Sequence, residues 1–354
     1  MFPYFVIFFL SIFATHKAYR CQSRMERYVH SCIAIIPLVI LASFRDPSVG
    51  TDTISYIYIY EQARNCMNIW QFISLFPSME IGFLIYNFVI SKIVFSVEGY
   101  YMITYSVMIL FVYISAFKLK EYISPTVFMF IYLFVFFSES LNIMRQYIAI
   151  SLTCMGIVNL FVGKSWKYLF WNILACFFHS SAIMSIGVGI GLFMVRRYSI
   201  SFVLFVYMVV CIAMFFTIGS IESGNLFVDK LSRYSANRRE TSISNSYIVI
   251  YTCTVFLLMC NYKNNVLFKW MLLILLTSSS LLITPLLSAT LYRMTIYFNI
   301  MTCFAVSYVY KNSEMANRWS VFVLLGLYLC FYIFSVGISG SGGIVPYKSV
   351  LLAM

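Results

Sequence analysis

The residue types able to do chemistry in this chain are few, and the clearest is an arginine set against hydrocarbon. The stretch Glu139-Ser-Leu-Asn-Ile-Met-Arg-Gln-Tyr-Ile-Ala149 places Arg145, followed by Gln146, at the start of an apolar run that continues through Val162. A guanidinium at mid-membrane costs roughly 2.5–3.5 kcal/mol on insertion scales. Arg145 is therefore read as facing the bundle interior or a wet cavity, as an anion clamp at the bottom of an extracytoplasmic site; snorkelling to the interface is the alternative. His179, in Phe178-His179-Ser180-Ser181-Ala182, is the only histidine beyond the first basic loop region. It is a candidate proton acceptor, with a structural histidine bonded to Ser180 or a carbonyl as the plain reading. Asp52, in Val49-Gly50-Thr51-Asp52-Thr53, is a second candidate base, or the cap of a following helix. Glu139 precedes Arg145 closely enough to share its site or to serve as its ion-pair partner.

Composition says what must position these groups. The chain has 354 residues, is 62% hydrophobic and only 10% charged. That excludes a soluble enzyme and indicates an all-α, polytopic transmembrane helical bundle, because many runs approach the ~20 residues needed to span. The runs are continuously apolar rather than alternating, which argues against a β-barrel. The apolar residues 1–15 lack a basic preceding region and a small-residue cleavage site, so no signal peptide is expected. The net charge of +12 sits in short loops and records topology, not nucleic-acid binding. Ten cysteines are scattered without a CxxC pair or metal spacing to histidine, so neither a disulfide framework nor a metal site is expected.

Along the chain, 3–15 is a first crossing, and Lys17, Arg20, Arg24 and Arg27 mark its cytoplasmic end. The second, about 28–44, emerges at Arg45 into a first external loop, 45–79. Of the next two apolar segments, 80–97 carries Glu80 and Lys92, with Glu98 just after it, and is read as re-entrant or interfacial; 100–117 is read as spanning. Crossings at 125–138 and 141–162 follow. The apolar stretch Tyr168–Val195 has basic flanks at both ends and is read as a hairpin with its apex at His179-Ser180-Ser181. Arms of about 12–15 residues reach only roughly 18–22 Å, so the apex should line a cavity below the outer surface. Spans at 199–218, 246–260, 266–284, 292–310 and 319–337 complete about 12 crossings around a second external loop, 219–245. The whole of 1–354 reads as a single integral membrane domain.

Sorted by this topology, most Lys and Arg lie on cytoplasmic ends. Arg45, Arg64, Arg145, Lys230, Arg233, Arg238, Arg239, Arg293 and Lys348 lie outside, against the positive-inside bias. Guanidinium groups suit bidentate binding of phosphate oxygens, which points to an anionic lipid-linked substrate held by Arg145, Arg45 and Arg293. The external titratable groups are Asp46, Asp52, Glu61, Glu80, Glu139, His179, Glu222, Asp229 and Glu240. Tyr56, Tyr58 and Tyr60 offer aromatic faces suited to sugar rings, although with 28 tyrosines an interfacial belt explains most of them.

Four of these motifs in order carry a resemblance. Arg45…Val49-Gly50-Thr51-Asp52…Tyr56, Ile143-Met144-Arg145-Gln146-Tyr147-Ile148-Ala149, Phe178-His179-Ser180-Ser181-Ala182 and Tyr292-Arg293…Tyr297-Phe298 resemble the motif set of the EpsG-like family. This family comprises bacterial polysaccharide (O-antigen type) polymerases of the Wzy class. The ending Val345-Pro346-Tyr347-Lys348 is similar too. The resemblance, over roughly residues 40–350, implies a GT-C-like, metal-independent glycosyltransferase without cofactor in the bacterial inner membrane. It would join undecaprenyl-pyrophosphate-linked repeat units into O-antigen or capsular polysaccharide at the periplasmic face. It implies catalytic roles for His179, Asp52 and Arg145, and substrate contacts for Arg45, Gly50, Tyr56, Glu139, Gln146 and Arg293. Partners would be the lipid-linked glycan, membrane lipid and a chain-length regulator protein, with no nucleic acid. A flippase or a ligase for the same lipid-linked glycan uses the same basic cavity, and both stay open. A membrane sugar acetyltransferase fits less well, since no cytoplasmic donor-binding domain is apparent.

Overall fold

The computed structural model describes residues 1–203, 205–206, 241–261, 264–283 and 289–351. The described backbone is helical, and its isolated bridge of extended chain joins Arg45 to Ser349. In chain order the helices are α1 (Phe2–Arg20), α2 (Arg24–Ser43), α3 (Thr53–Asn65), α4 (Ile69–Leu75), α5 (Ile81–Ile93), α6 (Val97–Lys118), α7 (Pro125–Ile131), α8 (Met144–Phe161), α9 (Ser165–Phe178), α10 (Ser185–Arg197), α11 (Thr241–Cys260), α12 (Val266–Ile283), α13 (Ala289–Asn299), α14 (Met301–Asn312) and α15 (Met315–Tyr332). The chain divides into two compact units. One comprises Met1–Ile183 with Tyr328–Met354; the other is Met184–Leu327.

Among the described residues, four helices are long and apolar enough to cross a membrane: Phe2–Arg20, Arg24–Ser43, Val97–Lys118 and Arg318–Ile338. Shorter apolar helices accompany them, Pro125–Ser140 and Val266–Ser279 included. The expected span at 292–310 is divided at Ile300 between α13 and α14. Most of the expected span at 199–218, and the loop 219–245 up to residue 240, lie outside the described residues.

In the first unit the core is aromatic. Helix α7 continues through a π-helical turn, Tyr132–Phe137, and α15 through another, Ile333–Ile338. Phe134, inside the first turn, and Tyr332, just before the second, meet edge to face and close with Phe5 and Phe8 of α1 into one cluster. Such ring pairs add about 0.5–1.5 kcal/mol each beyond burial. Tyr4, Tyr60, Tyr100, Tyr101, Tyr105, Tyr132, Tyr147 and Tyr332 are fully buried. These tyrosines form core rather than an interfacial belt, and four of the hydroxyls find carbonyls inside the bundle: Tyr4 donates to Ile344 O, Tyr60 to Val94 O, Tyr101 to Thr53 O and Tyr105 to Ser140 O.

Helix α5 lies alongside α3 in the same direction. Its start meets the start of α3 through the rings of Phe83 and Tyr56. At its other end Lys92 Nζ donates to the carbonyls of Ala63, Arg64 and Cys66, at 3.1, 3.0 and 2.8 Å. A cation on the last carbonyls of a helix offsets its dipole. With 13 residues, α5 is about 20 Å long, too short to cross about 30 Å of hydrocarbon unaided.

The segment Gly340–Val350 folds back onto the turn after α2. Gly50 N–H and Thr51 N–H donate to the carbonyls of Gly343 and Gly342, at 3.0 and 3.2 Å, and Asp46 N–H to Lys348 O at 3.0 Å. Tyr347 Oη reaches Leu41 O at 2.9 Å. The Gly/Ser-rich ending thereby frames the first loop.

Candidate active site

Three helix ends meet at one carboxylate. Glu80 is the residue before α5, and its side chain does not cap its own helix. It is turned to its neighbours instead. Arg145 Nη1 lies 2.9 Å from Oε2. His179 Nδ1 and the Ser180 N–H both approach Oε1, at 3.1 and 2.8 Å. The three side chains are partly open, with 25% of Arg145, 16% of Glu80 and 17% of His179 exposed. Burial opposes ionisation of Glu80, but the His179 hydrogen bond, the Ser180 N–H and the Arg145 charge outweigh it. Together they hold its pKa down at about 2, so the carboxylate is charged at neutral pH.

The local sequence explains this convergence. Helix α9 ends at Phe178, where His179 takes extended backbone before the 3-10 turn Ser180–Met184. The break expected at His179-Ser180-Ser181 is thus where the chain leaves helix. On α5, Gly82 sits against the backbone of Phe177; a Cβ there would lie 2.6 Å from the Phe177 carbonyl oxygen. Only a residue without a side chain lets α5 come close enough for Glu80 to reach His179. Arg145 lies in the first turn of α8, where the helix dipole adds positive potential for an anion. Its guanidinium passes 5.8 Å from the Phe83 ring centre.

Tyr56 joins the group from α3. The backbone N–H of Arg145 donates to its hydroxyl at 3.5 Å. Burial pushes the Tyr56 phenol up to about 12, against the lowering effect of Arg145, so it acts as a neutral hydrogen-bonding group. Tyr58 is exposed and Tyr60 fully buried under Tyr100. The α-helical period thus separates three aromatics that look equivalent in sequence.

The Gly50–Asp52 turn is tied to the same place through Asn142, which sequence reasoning did not single out. Asn142 Oδ1 accepts the Thr51 N–H at 2.7 Å, three residues ahead of Arg145. Gly50 has φ +98°, and a side chain there would crowd Thr53 Oγ1 and Asn142 Oδ1 at 2.7 and 2.9 Å. Its role is therefore in the backbone. Asp52 occupies the N-cap position of α3 but makes no capping side-chain bond. It stands one turn before Tyr56 and is half-buried.

Other expected contacts are placed differently. Arg45 is only 3% exposed. It donates to the carbonyls of Ala42 and Leu141, at 2.6 and 3.2 Å, and lies over the rings of Tyr101 and Tyr105 at 4.4 and 5.0 Å. It ties the end of α2 to α6 and to the approach to α8. Glu139 does not pair with Arg145, whose carboxylate partner is Glu80; Tyr147 Oη donates to Glu139 Oε2 at 2.9 Å. Gln146, about 100° further round the helix than Arg145, is only 2% exposed. Arg293 is an exposed residue of α13, in the second unit. Arg233, Arg238 and Arg239 lie outside the described residues.

The residue that sequence reasoning missed as a centre is Glu80. It stood among the titratable candidates, but nothing in linear spacing ties it to a histidine 99 positions later. A carboxylate immediately before Ile81-Gly82-Phe83, with glycine permitting a close helix approach, was the one available signal.

The family model for the EpsG family matches residues 28–349. The chain belongs to the EpsG family. Within this EpsG-family chain the matched region contains α3, α5, α8 and α9, hence Tyr56, Glu80, Arg145 and His179. No curated protein matches it, and no solved structure does.

Proposed function

We propose that this EpsG-family membrane protein is a glycosyltransferase that joins lipid-diphosphate-linked oligosaccharide repeat units into a polysaccharide, of O-antigen or capsular type. The reaction would take place at the periplasmic face of a bacterial inner membrane, on undecaprenyl-pyrophosphate-linked units. The observation that carries this reading is the convergence of Arg145, Glu80 and His179, partly open and joined by Tyr56 through the Arg145 backbone N–H, in a bundle with membrane-spanning helices.

In the proposed step, a hydroxyl oxygen of the acceptor unit bonds to the anomeric carbon of the donor glycan. The anomeric C–O bond to the lipid diphosphate breaks, and the diphosphate departs with the electron pair. Arg145 has five N–H donors; Glu80 engages one nitrogen, and the exposed part is free to take diphosphate oxygens in the bidentate manner guanidinium favours. Stabilising charge that develops on the leaving group is commonly the largest catalytic contribution. Glu80 accepts from His179 Nδ1–H and so presents Nε2 as the proton acceptor for the attacking hydroxyl, the familiar carboxylate-oriented imidazole base. Asp52 is the alternative base, since its carboxylate is not consumed by helix capping.

The test is purified protein with one synthetic lipid-linked repeat unit, followed by gel separation of products. A ladder of oligomers is expected from wild type. Arg145→Ala should abolish it while leaving protein level and the single-unit substrate intact. A wild-type protein that moves the unit across vesicles without elongating it would replace this reading with a flippase. Transfer of finished chains to another lipid would replace it with a ligase.

A further inference from the structure

Arg145 sits in the first turn of a helix that does not secure its own start. The residue at the N-cap position of α8 is Ile143, which makes no capping side-chain bond. The chain reaches it through Ser140-Leu141-Asn142, and each of these residues is gripped from a different element. Tyr105 Oη of α6 donates to Ser140 O at 3.0 Å. Arg45, just after α2, donates to Leu141 O at 3.2 Å. Asn142 Oδ1 accepts from both the backbone N–H and the hydroxyl of Thr51, at 2.7 and 3.4 Å. The first two grips end on backbone carbonyls, which any residue would offer. The third depends on a side chain, and on the residue of the three nearest to Arg145 in the chain.

The segment Gly340–Gly343 closes on the same amide. Gly340, Gly342 and Gly343 have φ of +65°, +75° and +61°, a conformation that suits glycine. The Thr51 N–H is shared between Asn142 Oδ1 and Gly342 O, the latter at 3.2 Å. A Cβ on Gly342 would overlap Asn142 Nδ2. Just beyond, Tyr4 Oη donates at 3.1 Å to the carbonyl of the fully buried Ile344 and fastens this strap to α1. Asn142 is only 8% exposed, with its amide enclosed between Thr51 and the strap.

We propose that Asn142 is the positioning residue for Arg145, and that the Gly340–Gly343 strap keeps it in that role by pressing on its amide. The inference rests on the reading of Arg145 as a diphosphate clamp and adds what aims the clamp. Asn142 fixes where α8 begins relative to the turn that leads into α3. Within one helical turn of it, the Arg145 N–H meets Tyr56 Oη of α3 and the guanidinium meets Glu80. Misplacing a binding group by about 1 Å costs on the order of 10²-fold in rate. Loss of the Asn142 amide therefore acts through Arg145, without removing any group that touches the diphosphate.

The test measures binding of inorganic pyrophosphate to the full chain in nanodiscs, with thermal unfolding beside it. Asn142→Ala is expected to weaken binding by about tenfold or more. Asn142→Asp keeps an acceptor for the Thr51 N–H and should recover at least about threefold of that loss. Gly342→Ala leaves Asn142 in place but drives a methyl group into its amide. It should weaken binding by about tenfold in the wild-type background and by less than about twofold in Asn142→Ala, where the atom it strikes is gone. Its left-handed backbone lowers the unfolding midpoint in both backgrounds, so a purely structural effect would reduce binding equally in both. Equal losses in the two backgrounds would overturn the inference. So would wild-type binding by Asn142→Ala, or Asn142→Asp as impaired as Asn142→Ala. Arg145→Ala is the control: pyrophosphate binding indifferent to it would remove the clamp and this inference together. Oligomer ladders are scored separately, so a wild type that binds through Arg145 but does not elongate loses the polymerase reading while the binding comparisons still decide the role of Asn142.

Discussion

Glu80→Gln removes one charge and almost no volume, and so isolates the carboxylate at the centre of the cluster. In the folded protein this carboxyl is held at about 2, against an ordinary 4.5. That difference corresponds to about 3 kcal/mol of preference for the ionised form. Solvent reaches part of the side chain, so screening reduces the contribution by about half, to about 1.5–2 kcal/mol. A depressed folded-state value contributes stability that is present above pH 4.5 and lost as the pH falls toward 2. Thermal unfolding of wild type and Glu80→Gln in detergent should therefore differ by a constant amount near neutrality. The difference should shrink by roughly two fifths at about pH 3.5. Polymerisation should fall by about 10²-fold or more, because the imidazole loses its orienting carboxylate and Arg145 its anchor. A variant as stable and active as wild type at pH 7, or a stability gap that widens on acidification, would refute the reasoning.

Other perturbations separate framework from chemistry. Arg45→Gln should cost about 3 kcal/mol or more, through lost charged hydrogen bonds and stacking, and be seen as a fall in membrane protein level that Arg145→Ala does not share. Gly82→Ala should destabilise by about 1–3 kcal/mol, by pushing α5 off Phe177, and lower polymerisation with it; unfolding midpoints and ladder assays read both. His179→Gln should reduce polymerisation by about 10²-fold or more while Asp52→Asn stays within about tenfold of wild type. The reverse order would make Asp52 the base.

Much of the architecture is legible in the chain because helices in hydrocarbon announce themselves by composition. Runs of apolar residues bounded by Lys17, Arg20, Arg24 and Arg27 locate α1 and α2 closely. The break at His179 is legible since polar residues interrupt an otherwise apolar stretch. Tyrosine misleads, because its ring and hydroxyl suit an interface and a hydrogen-bonded core equally well, and Tyr60, Tyr100 and Tyr105 chose the core. Arg45 misleads for a related reason. An arginine at a helix end looks solvent-facing, yet the Ala42 and Leu141 carbonyls and the rings of Tyr101 and Tyr105 close around it.

From the sequence alone came the helical membrane class, the candidacy of Arg145 and His179, and the break in the helix at His179. Hydropathy, charge placement and backbone sterics are local properties, readable without knowing what folds against what. Only the tertiary structure chose the partners. It sealed Arg45 inside, turned Glu139 to Tyr147, and brought Glu80 to both Arg145 and His179 across the close contact at Gly82. Pairing between residues remote in the chain depends on helix phase and approach distance, which no one-dimensional pattern records.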